Sequence, residues 1–82
     1  MKLTYDPRYN IAYLRLQEKT SQVETVRVSE SLNVDLAPDG TVYGIELLNA
    51  NEQLRGQEKG KLIVENVATG TSTELELTKE NG

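Results

Sequence analysis

Along most of this chain apolar residues recur at every second position, and two of the alternating runs meet at an Asp-Gly pair. Leu32, Val34 and Leu36 alternate with Asn33 and Asp35, and beyond Pro38-Asp39-Gly40 the alternation resumes with Tyr43, Ile45 and Leu47. A repeat of two belongs to a strand, whose side chains point to opposite faces in turn. Asp-Gly between two such runs reads as a hairpin turn, because glycine takes the positive φ that the turn requires. The segment 41–48 also carries Val42 and Leu48 on its second face. Apolar residues on both faces predict a central strand.

The same period extends to both sides. A first strand is predicted over 2–5, then a turn at Asp6-Pro7-Arg8, where proline presets φ and the aspartate bonds the backbone ahead. A second strand is predicted over 10–17, with Ala12, Leu14 and Leu16 on one face and Ile11, Tyr13 and Arg15 on the other. A polar loop (18–22), a third strand (23–29) and a fourth (32–36) lead to the Asp-Gly turn. Asn49 has the form of an N-cap, with Glu52 reaching back three residues later, and Gly56 and Gly60 limit the helix to about two turns over 50–55. Strands over 61–67 and 73–78 flank a second turn at 68–71, with Leu62, Val64, Leu75 and Leu77 expected towards a core, and 79–82 reads as a frayed tail. The expected architecture is one mainly β domain over 1–82, an antiparallel sheet of six or seven strands with one short helix.

The segment from Leu32 to Leu47 also matches that from Leu62 to Leu77 at a constant offset, with Gly40 and Gly70 at the two turns. Two readings are open: a duplicated hairpin, or two amphipathic hairpins that obey one alternation rule.

Composition then removes function classes. With no histidine and no cysteine in 82 residues, Ser-His-Asp and Cys-His catalysis cannot be assembled, nor can a zinc site of nitrogen or sulfur ligands. The glycine spacing matches no phosphate-cradling loop, so no cofactor is expected. A net charge of −4, with the basic residues scattered among acids, argues against nucleic acid as a partner. No apolar run approaches the roughly 20 residues of a membrane span, and the apolar stretch at the N-terminus ends too soon for a signal peptide. Soluble and cytoplasmic is the expectation. Only 37% of the residues are hydrophobic and Phe and Trp are absent, so the core is thin for a lone small domain. Self-association, with a dimer favoured, is the expected remedy.

Candidate site residues gather on the polar strand face: Tyr13 and Arg15, Asp35, and Glu46. If their strands are neighbours, Arg15 could bridge Asp35 or Glu46. Such a group serves either as a charged groove or acid/base pair tuned by Arg15, or as a cross-strand ion pair on a solvated face. Asp6 could join Asp39 or Asp35 around a hard cation, but turn-capping accounts for both Asp6 and Asp39 without one. Tyr5, Tyr13 and Tyr43 suit packing at the core edge or anchoring of an interface.

Leu3-Thr4-Tyr5-Asp6-Pro7, Ala12-Tyr13-Leu14-Arg15-Leu16, Val34-Asp35-Leu36, Asp39-Gly40 and the run Val42 to Ala50, taken together, resemble the domain of unknown function 2283, a family of small bacterial and archaeal proteins. The likeness covers roughly residues 2–50. It implies a small curved sheet, often ending in a helix, with no activity established for the family as a whole. Some members lie beside other small genes, which implies an antitoxin-like role as an alternative to self-association, with a protein encoded nearby as partner. The chain departs from the family pattern at Asn10, where Asp is usual. It departs again beyond Arg55, where a hairpin is predicted in place of a helical tail.

Overall fold

The computed structural model describes residues 1–18, 22–55 and 60–77. The tail expected over 79–82 and the Gly56 end of the helix lie outside these residues, as does much of the loop expected over 18–22. The elements run β1 (Lys2–Asp6), β2 (Ile11–Arg15), β3 (Glu24–Ser29), β4 (Leu32–Leu36), β5 (Val42–Leu48), α1 (Ala50–Arg55), β6 (Lys61–Asn66) and β7 (Thr71–Glu76). The chain is mainly β, as its alternation predicts, and forms two compact units, Met1–Asn51 and Glu52–Gly82.

The first unit holds a five-stranded antiparallel sheet of order β1-β2-β5-β4-β3. β5, apolar on both faces, occupies the centre. The register assembles two faces from the alternation of each strand. Leu3, Leu14, Ile45, Val34 and Val26 form one row across all five strands. Tyr5, Ala12, Leu47 and Leu32 form a second row on the same apolar face. The opposite face carries Thr4, Tyr13, Glu46, Asn33 and Arg27 in one row, with Lys2, Arg15, Gly44, Asp35 and Thr25 beside it.

The turns explain the strand ends. Asp6 Oδ1 accepts the Arg8 amide at 3.0 Å, and Asp39 Oδ1 accepts the Thr41 amide at 3.0 Å, so each aspartate closes its own turn. Gly40 has φ +88°, which only glycine adopts without cost. The second strand begins one residue later than expected, because Asn10 has φ +60° and belongs to the turn. Its carbonyl accepts the Ala50 amide at 3.1 Å and its Oδ1 accepts the Asn51 amide at 2.6 Å. Two of the amides that open α1 are thus satisfied from a residue forty positions earlier.

The second unit contains the β6–β7 hairpin, whose turn at 67–70 starts one residue before the expected position. Asn66 shifts it: its Oδ1 accepts the Ala68 amide at 3.0 Å, and its carbonyl accepts the Gly70 amide at 2.8 Å. The likeness between the two hairpins does not extend to their pairing. Leu32 faces Leu47, whereas Leu62 faces Leu75, a slip of two residues from the constant offset. β4–β5 also carries a bulge that the β6–β7 register lacks. The expectation that Leu62, Val64 and Leu75 face a core is corrected: they are 37%, 54% and 50% exposed. A two-stranded ribbon has no second layer of its own to bury them.

Among the described residues the buried apolar side chains are Ala12, Ala37 and Ala50, nothing larger than a methyl group. Every larger residue of the five-stranded sheet's apolar face is half-buried or exposed.

Candidate functional site

The polar face of the five-stranded sheet brings together most of the residues singled out by sequence. Gly44 sits in mid-strand with Arg15 on one side and Asp35 on the other. A glycine there leaves a gap on the face, and the Tyr13 ring leans diagonally across it. A Cβ on Gly44 would collide with Oη, Cζ and Cε1 of Tyr13. From this position the Tyr13 hydroxyl donates to Asp35 Oδ2 at 2.7 Å, while Thr25 Oγ1 donates to Asp35 Oδ1 at 2.6 Å. One carboxylate is therefore held from β2 and from β3. Beside it, Asn33 Nδ2 donates to Glu46 Oε1 at 3.0 Å.

The bridge expected from Arg15 to Asp35 or Glu46 is not formed. Among the described residues the ion pair is Arg8–Asp6, at 2.9 Å. The physical reason is the Tyr13 ring, which occupies the space over Gly44 and takes the Asp35 oxygen first. Arg15 Nε and Asn33 Oδ1 are buried on this face without a hydrogen-bond partner.

Burial above all, then the hydrogen bond to Asp35, pushes the Tyr13 phenol well above its ordinary range. Tyr43 and Glu46 add to that shift electrostatically. A phenol so held stays protonated at neutral pH, the reverse of what proton abstraction or nucleophilic attack by tyrosinate requires. Asp35 and Glu46 each accept from separate neutral donors instead of sharing a proton, so they do not form a paired-carboxylate device. This arrangement locks β2, β3, β4 and β5 in register.

The remaining candidates lie elsewhere. Tyr5 is on the apolar face, and its hydroxyl donates to Asn51 Oδ1 at 2.6 Å, tying β1 to the start of α1. Asp6 is the last residue of β1, where hydrogen bonds from the Arg8 side chain hold its carboxyl below the usual carboxylate range. Tyr43 is the extra residue of the β4–β5 bulge, and its carbonyl accepts the Leu16 amide at 2.8 Å. Thr25, Asn33 and Gly44 complete the polar network and were not picked out from sequence. A glycine inside an alternating strand marks close approach by another group, and that signal was available at Gly44. Thr25 and Asn33 become visible only once the strand register is known.

Residues 2–51 match the family described as Protein of unknown function (DUF2283). The chain belongs to the DUF2283 family. The match ends with the first compact unit, so the five-stranded sheet and the opening of α1 are the DUF2283 part, and β6–β7 lies beyond it. No curated protein and no solved structure matches the chain.

Proposed function

We propose that this DUF2283 chain is a non-enzymatic interaction module of the cytoplasm that works by self-association, as a dimer. The observation that carries the reading is the apolar face of the five-stranded sheet. It spans Leu3, Leu14, Ile45, Val34 and Val26 in one row and Leu47 and Leu32 in the next, yet the buried apolar side chains among the described residues are three alanines. A small domain whose core is this thin gains stability from a partner subunit. At the outer strand β3 the apolar surface is exposed, at Val26 and Val28, and exposed apolar surface marks interaction sites. The polar face supports the same reading, since its hydrogen bonds hold the strands together and leave no activated nucleophile or base. Among the described residues no helix is long and apolar enough to cross a membrane.

Sedimentation velocity over a hundredfold range of concentration tests the proposal. A species of twice the chain mass, growing with concentration, is the expected result. A single monomer boundary throughout would overturn it.

A further inference from the structure

Resting on that reading, we propose how the two copies meet: edge to edge through β3, antiparallel about a twofold axis at Val26, so that the five-stranded sheet continues from one copy into the other. Among the described residues β3 is an outer strand, bonded to β4. All six of its residues are exposed, and with the preceding Val23 it presents valines that are 43%, 40% and 57% exposed at positions 23, 26 and 28. An outer strand leaves a line of backbone donors and acceptors open to another chain. The opposite edge, β1, is protected: Lys2 and Asp6 charge its two ends, Pro7 follows, Leu3 and Tyr5 are half-buried, and Asp6 is already held by Arg8.

The axis position follows from charge and shape. In an antiparallel pair, residues that face each other across a perpendicular twofold share one sheet face. An axis at Arg27 sets two guanidiniums opposite each other, and one at Glu24 sets two carboxylates opposite each other. Both are unfavourable. An axis at Val26 opposes Val26 to Val26, Thr25 to Arg27 and Glu24 to Val28. It also joins the apolar row Leu3–Leu14–Ile45–Val34–Val26 end to end with that of the second copy. Val28 is the bulged residue of β3 and the most exposed of its valines. Beside Glu24 lies a cavity of about 290 Å³, lined in part by Val23, Leu36, Ala37 and Pro38. The Val26 axis carries the Val28 of each copy to the rim of the other's cavity, so a knob and a hole on one edge become complementary. An edge contact this short buries less than a standard interface of about 1,200–2,000 Å², so the dimer should be weak and concentration-dependent.

The chain has no cysteine, which makes single-cysteine cross-linking clean. Opposed residues of an antiparallel pair have Cα atoms about 4.5–5.5 Å apart, inside the roughly 4.4–6.8 Å that a disulfide spans. Under mild oxidation Val26→Cys should form a covalent dimer. An equimolar mixture of Glu24→Cys and Val28→Cys should form a mixed dimer at least about tenfold faster than either alone, and this second route keeps the test open if Val26→Cys folds poorly. Thr4→Cys on β1 should remain a single chain. Val28→Glu, without any cysteine, sets a second carboxylate opposite Glu24 at both ends of the pair and should raise the dimer Kd by at least about tenfold. If the unmodified chain sediments as a dimer but cross-links through Thr4, or through neither β3 route, the β3 edge is wrong and self-association stands. If it sediments as a monomer and no variant cross-links, both fall.

Discussion

Tyr13, Gly44 and Asp35 act as one device. The missing side chain at 44 admits the Tyr13 ring, and the ring's reach sets the hydroxyl against Asp35. Gly44→Ala should therefore cost about 1–3 kcal/mol through overpacking. In a Tyr13→Ala background the same substitution should cost about half that or less, as a double-mutant cycle in urea would reveal. Additive effects would show that the ring does not require the glycine. Tyr13→Phe should cost about 1–2 kcal/mol, since it removes a donor to a carboxylate. It should also change the alkaline limb of the stability curve. Tyr13 is raised above its unfolded value of about 10, so the folded state retains a proton that the unfolded state releases. That contribution is fully present below about pH 10 and is lost as the pH climbs through the raised value. Denaturation midpoints measured from pH 8 to 11.5 should fall less steeply above pH 10 for Tyr13→Phe than for the native chain.

At the scale of elements, the start of α1 is secured by a long-range contact. Asn49 does stand at the helix start, but it takes φ +65°, and Asn10, itself at φ +60°, accepts the amides of Ala50 and Asn51. Asparagine tolerates the left-handed region better than most residues. Asn10→Ala should thus cost about 1–2 kcal/mol in thermal or urea unfolding. Asn10→Asp should cost little: it keeps the acceptor and places a negative charge beside a helix N-terminus. A large loss for Asn10→Asp would instead point to its Nδ2, which donates to Asn49 Oδ1 at 3.3 Å. At the Asp-Gly turn an added Cβ on Gly40 meets nothing within 4 Å, so the expected penalty of Gly40→Ala, about 1–2 kcal/mol, comes from φ +88° alone.

For the whole molecule, stability and association are coupled. If the folded chain pairs with itself, mass action raises the melting temperature with concentration. Scanning calorimetry at about 10 μM and 500 μM should show that rise, and Val28→Glu should abolish it. Much of the architecture was legible beforehand: strand alternation and Asp-Gly placed the elements within a residue or two, and the two apolar faces of β5 put it at the centre. The candidate site was legible as a list but not as a geometry. Arg15 was expected to meet a carboxylate because opposite charges attract, whereas Tyr13 intervened by packing across Gly44. Thr25 and Asn33 carry no signal in a linear reading, since any polar residue can sit on a solvated face.

By itself the sequence determined the alternation of Leu32 to Leu47, the turn at Gly40, and the closure of histidine- and cysteine-dependent chemistry. These are properties of single residues and their spacing, which local backbone geometry reads directly. Tertiary structure decided the pairing: the order β1-β2-β5-β4-β3, the slip of two residues that separates the Gly70 hairpin from the Gly40 hairpin, and the exposure of Leu62, Val64 and Leu75. It also decided that the larger residues of the apolar face would stay half-buried or exposed. Strand periodicity states which residues share a face. What covers that face depends on which strands become neighbours and which edge is left open, and in an antiparallel sheet those follow from register between segments far apart in the chain.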